Sequence, residues 1–77
     1  MNLWIRSQDK EVLTRVVDIW KDADKNEIWS KSSFAIKNCL GTYKTKERAI
    51  EVLDEIQKYM LLPNPDGSAY VYQMPEK

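Results

Sequence analysis

The stretch Thr45 to Leu62, TKERAIEVLDEIQKYMLL, constrains the rest of the chain more than any other. Ala49, Val52, Leu53, Ile56, Tyr59 and Met60 recur at three- and four-residue spacing, which lays them along one side of a helix. Glu47, Glu51, Asp54, Glu55 and Lys58 fall mainly on the other side. Thr45 suits the N-cap, since its hydroxyl can accept from a first-turn N–H. Glu47 and Lys58 complement the helix dipole at its two ends, and Asp54 with Lys58 forms an acid-then-base pair one turn apart. Pro63 and Pro65 stop the helix. An amphipathic helix of this length must bury its apolar side to persist. The remaining chain is therefore expected to supply a sheet.

That chain is short. Its 77 residues make one domain, 1–77, whose small core leaves it only marginally stable alone, so that a dimer would help. Hydrophobic residues at 43% and charged residues at 31% place it among ordinary globular proteins. No apolar run approaches the length of a membrane span, and no secretory signal is read at its start. The single Cys39 cannot form an internal disulfide, which fits a reducing cytoplasm. Formal net charge is zero, but residues 31–48 hold five basic side chains (Lys31, Lys37, Lys44, Lys46, Arg48) against one acidic. Such a basic middle suits an anion; the plainer reading is surface neutralisation by the acidic flanks.

Leu3, Trp4 and Ile5 read as a first strand and Ser7 to Lys10 as the turn after it. Val12 to Trp20, rich in β-branched residues, reads as the second strand. Neither of its faces is cleanly polar, the pattern of a strand covered on both sides, by the helix on one and a partner subunit on the other. A polar loop, Asp22 to Asn26, leads to a third strand starting at Ile28 and Trp29. If that loop is centred between Asp24 and Lys25, Trp20 and Trp29 lie opposite one another, an aromatic pair that would stabilise the hairpin by about 0.2–1 kcal/mol. Ser30 to Ser33 reads as a second turn. Phe34 to Leu40 reads as the fourth strand, with Phe34, Ile36 and Leu40 on one face, and Gly41 as its exit. Residues 63–68 form the loop after the helix. Tyr70 to Gln73 is the last strand, and 74–77 a fraying tail. The expected fold is α+β, in the order ββββαβ: a four-stranded antiparallel meander plus a C-terminal strand, packed on one helix.

The residue inventory bears on chemistry. There is no histidine, the commonest general base and metal ligand. Cys39 therefore has no histidine to activate it, and it reads as a small strand residue. One cysteine and no histidine make zinc improbable. Asp22-x-Asp24-x-Asn26 copies the start of a calcium loop, but Glu27 stands where glycine is needed and Ser33 where glutamate is needed. With Gly41 and Gly67 the only glycines, no phosphate-cradling loop exists. Glu51, Asp54 and Glu55 sit on the solvent side of the helix, where carboxylates mostly solvate. No catalytic residue, metal site or cofactor is expected, and the chain reads as no enzyme.

Two candidate surfaces remain. Tyr43, Lys44, Thr45, Lys46 and Arg48 surround the helix N-terminus, an end suited to an anion or a nucleotide phosphate; the plainer reading leaves the lysines simply exposed. Eight aromatics in so short a chain exceed what a small core hides. Trp4, Trp20, Trp29, Tyr70 and Tyr72 are candidate interface residues, because aromatics are enriched where proteins meet. Aromatics also stack bases, but without net positive charge a nucleic-acid partner is the weaker expectation.

Three segments carry a resemblance: Leu3 to Lys10 (LWIRSQDK), Leu40 to Ala49 (LGTYKTKERA) running into Glu51 to Ile56 (EVLDEI), and Tyr72 to Glu76 (YQMPE). Together they resemble a group of small proteins of unassigned function from Gram-positive bacteria, their prophages and phages. Val12 to Lys37 lies outside the likeness. The resemblance implies a cytoplasmic bacterial or phage-encoded protein and carries over no catalytic residue. The expected function is non-catalytic binding of a protein partner, a host protein or the chain itself as a homo-oligomer. A small-anion or nucleotide-signal binder at the helix start is the second expectation, and a nucleic-acid binder the third.

Overall fold

A computed structural model describes residues 3–32, 34–63 and 70–77. The elements run β1 (Leu3–Arg6), β2 (Leu13–Lys21), β3 (Glu27–Ser32), β4 (Lys37–Thr42), α1 (Lys46–Met60) and β5 (Tyr70–Gln73). This is the expected ββββαβ order in an α+β fold. The sheet, in the order β4-β3-β2-β1-β5, is not wholly antiparallel. The meander β1 to β4 is antiparallel throughout, but β5 joins the free side of β1 in parallel, with Ile5 opposite Tyr72. β5 runs opposite to β4, which precedes it, and α1 carries the chain between them so that β5 lies beside β1 and not beside β4.

Helix α1 starts where its cap dictates. Thr45 is extended, and its Oγ1 accepts from Arg48 N–H at 3.0 Å. Ala49, Val52 and Ile56 are buried at one-turn spacing, while Glu47, Glu51, Asp54 and Lys58 are exposed. They meet Leu3, Ile5, Ile28, Leu40, Tyr72 and Met74 from the sheet and the C-terminal segment. Asp54 and Lys58 make no ion pair. Among the described residues the pairs are Lys10 with Glu76 and Arg48 with Glu51 and Glu55.

Two bulges set which side chains face the helix. In β2 the register slips between Val16 and Asp18, leaving Val17 without a partner. Thr14 and Val16 face inward before the slip and Ile19 after it, so the simple two-face alternation expected for this strand breaks at Val17. The second slip skips Leu40, so that Leu40 and Gly41 are both buried in succession. Trp20 does pair with Trp29, as a loop centred between Asp24 and Lys25 requires.

The third hairpin differs from expectation. Ser30 to Ser32 belong to β3, and the turn lies further on, with Ala35 at φ 63. Phe34 and Ile36 are therefore turn residues and β4 begins only at Lys37. Serine clusters favour turns in isolation, but Ser30 pairs with Ile19 on one side and Asn38 on the other, and the ladder wins. Of the expected loop 63–68, residues 64–68 lie outside the described residues.

The sheet coils so that the turn after β1 meets β4. β1 and β4 are separated by two strands, yet Gln8 N–H donates to Leu40 O at 2.7 Å. The Gln8 side chain completes the join like a short strand. Its Oε1 accepts from Thr42 N–H at 2.9 Å, and its Nε2 donates to Thr42 O at 3.0 Å and to Glu76 O at 2.8 Å.

Candidate functional site

The helix start is built from β4 outward. Tyr43, the residue after β4, is buried, and its backbone N–H donates to Asn26 O at 2.8 Å. Asn26 Nδ2 reaches Lys44 O at 3.2 Å, so the β2–β3 turn holds the approach to α1 from below. Gly41, two residues earlier, leaves room for close packing. A Cβ there would stand 3.1 Å from the Tyr43 hydroxyl oxygen and 3.2 Å from Gln8 Cβ.

Much of the candidate anion cluster is already engaged. Thr45 caps the helix. Tyr43 OH donates to Pro75 O at 2.9 Å, and burial pushes this phenol up to about 12, with Arg48 opposing. Arg48 stands 5.9 Å over the Tyr43 ring. Its Nε donates to Lys77 O at 2.9 Å, and its guanidinium lies 3.4 Å from Glu51 and 3.9 Å from Glu55. Lys44 and Lys46 are exposed, with no carboxylate partner among the described residues.

The segment 74–77, read from sequence as a fraying tail, is what engages them. Met74 is fully buried and its N–H donates to Arg6 O at 3.0 Å, extending the β1–β5 pairing. Three successive carbonyls then find side-chain donors from three separate places: Pro75 from Tyr43, Glu76 from Gln8, Lys77 from Arg48. A cleft of about 550 Å³ remains beside them, bounded by Tyr43, Lys44, Arg48 and Lys77 among others.

The expected interface aromatics divide between the two faces of the sheet. Trp4, Trp20 and Trp29 lie on the face turned away from α1, each half-buried. Trp29 Nε1 donates to Glu27 Oε1 at 3.3 Å. Tyr70 and Tyr72 lie on the helix side. Tyr72 is buried edge-on against Tyr59, ring centres 4.9 Å apart, and its hydroxyl donates to Glu55. Burial and the Glu55 carboxylate both push the Tyr72 phenol up. Tyr70 OH donates to Pro63 O.

Other apolar side chains are exposed, among them Ile50, Leu61 and Leu62 on and after α1 and Val71 in β5. Leu13 is 50% exposed, Val17 60%, Ile36 58% and Phe34 85%. Sequence reasoning placed Phe34 and Ile36 on one face of a strand beside Leu40; the left-handed Ala35 between them turns the chain instead. Phe34, Ile36 and Leu13 line a cleft of about 420 Å³, with Trp4 and Arg15 on its β1–β2 side. The sequence carries no local signal for it, because the positive φ that turns the chain falls on an alanine and not on a glycine or asparagine.

Cys39 pairs in register with Trp29 on the outer face. Partial desolvation and the Glu27 carboxylate raise its thiol above the ordinary range. No helix among the described residues is long and apolar enough to cross a membrane, and none of the His, Cys, Asp or Glu side chains described form a group able to hold a metal. No protein-family model, curated protein or solved structure matches the chain.

Proposed function

We propose that the chain is a non-catalytic protein-interaction module whose contact surface is the cleft between β2 and the β3–β4 turn. One observation carries the reading: Leu13, Phe34 and Ile36, each half exposed or more, converge on one concavity, whereas the other exposed apolar side chains, Val17, Ile50, Leu61, Leu62 and Val71, do not line it. Exposed apolar groups gathered around a concavity mark contact sites more often than isolated ones do. The chemistry available agrees with binding rather than catalysis. A thiol with a raised pKa is the reverse of what a nucleophilic cysteine needs. The likeness to small bacterial and phage proteins makes a host protein in the bacterial cytoplasm the partner to look for.

The test compares the wild-type chain with a Phe34→Ser/Ile36→Ser variant. Both positions are exposed, so folding should change by no more than about 0.5 kcal/mol per site. Immobilised wild type should retain a bacterial protein in stoichiometric amount, and the double variant should lose it while keeping its circular dichroism. Retention by the double variant, or loss only in a Lys44→Glu/Lys46→Glu variant, would move the site to the helix start.

A further inference from the structure

We infer that the sheet face turned away from α1 binds single-stranded nucleic acid. This goes beyond the interaction reading above and concerns a second surface, which borders the cleft at Trp4, Leu13 and Arg15. All three tryptophans of the chain stand on that face, each half-buried. Trp20 lies directly opposite Trp29, and Trp4 opposite Arg15. Every base has a flat π-face, so such rings hold a single strand without reading its sequence. A duplex hides those faces in its own stack.

The fold sorts charge that the sequence leaves balanced. Formal net charge is zero, yet the strands turn Arg6, Arg15, Lys31 and Lys37 outward against Asp18 and Glu27. The cations alternate with the rings. Lys31 and Lys37 form the row next to Trp29 and Cys39, Arg15 adjoins Trp4, and Arg6 follows one row on. Arg6 Nε is committed to Lys10 O at 2.7 Å; Arg15 and Lys37 are exposed and Lys31 is half-buried. Lys31 and Lys37 are register partners, and like charges directly opposite one another cost stability. Asp18, on the other side of Lys31, makes no ion pair with it. A phosphate chain laid across this row removes the repulsion. Glu27 accepts from the Trp29 indole N–H, and Asp22 and Asp24 lie beyond the Trp20–Trp29 pair at the hairpin tip. The path of favourable charge therefore runs from that pair toward Trp4. An acidic peptide would meet the cations but leave the three indoles without a matching partner; a nucleic acid strand uses both.

The experiment follows indole fluorescence of the whole chain during titration with an oligothymidine of about ten nucleotides, a duplex of the same length, or polyglutamate, at about 50 and about 200 mM salt. The oligothymidine should quench the fluorescence, bind at least about tenfold tighter than the other two, and weaken as salt rises. Lys31→Gln/Lys37→Gln should lower its affinity at least about fivefold and make the log–log salt dependence shallower by roughly 1.4, the share of two phosphate contacts. That variant loses a like-charge pair, so its urea midpoint should hold or rise. Phe34→Ser/Ile36→Ser should bind oligothymidine as the wild type does. Absence of quenching overturns the inference, as does equal affinity for the duplex; equal affinity for polyglutamate overturns it in favour of an acidic protein. Unchanged binding by the lysine variant, or loss in the Phe34→Ser/Ile36→Ser variant, overturns the placement on this face. The partner-retention comparison decides the interaction reading separately.

Discussion

Ser30 shows how far a single side chain can sit at odds with its surroundings. It is fully buried, and its hydroxyl has no hydrogen-bond partner among the described residues. An unsatisfied buried hydroxyl costs about 1–3 kcal/mol of desolvation. Ser30→Ala should therefore raise stability by about 1 kcal/mol, seen as a higher urea midpoint at unchanged slope. The two buried tyrosines act in the opposite sense through pH. Tyr43 and Tyr72 have phenols raised above the unfolded value, Tyr43 to about 12. Between that value and the unfolded one the native state binds more protons, so their contribution is fully present below about pH 10 and is lost as pH rises beyond it. Denaturation midpoints should fall between about pH 10 and 12, and Tyr43→Phe should make that fall shallower.

At the scale of elements, the join made by Gln8 is the feature with most consequence. One side chain ties the β1–β2 turn to both main-chain groups of Thr42 and to Glu76 O. Gln8→Ala should cost about 1–3 kcal/mol, and hydrogen exchange at the Thr42 amide should accelerate well beyond that at Ile28 in the middle of the sheet. None of this was legible in the sequence, where Gln8 reads as one polar turn residue among several. What could be read was local. The cap at Thr45, the helix stripe from Ala49 to Ile56 and the Trp20–Trp29 pairing each follow from spacing within one segment or across one short loop. What could not be read was set by contacts distant in sequence. The ladder to Ile19 and Asn38 draws Ser30 into β3, and the parallel place of β5 beside β1 depends on how α1 crosses the sheet. The bulges at Val17 and Leu40 likewise change which residues share a face without leaving a mark in composition. For the same reason the exposed pair Phe34 and Ile36 read as strand.

Across the whole molecule, the coiled sheet gives its two ends different fates. At one end Gln8, Tyr43 and Arg48 bind the chain's own 75–77 segment, so the basic helix start, the first place in the sequence to look for an anion, spends its strongest donor on a backbone carbonyl. At the other end Leu13, Phe34 and Ile36 stand exposed around a cleft between β2 and the turn that leads to β4. The second end is where we propose that a partner binds. The direct measurement is residue-by-residue mapping of amide chemical shifts as the bacterial protein that the immobilised chain retains is added to the whole chain. The shifts should concentrate at 13–16 and 34–38 and leave 43–48 unmoved. Shifts centred on Tyr43 to Arg48 instead would contradict the account and return the binding site to the start of the helix.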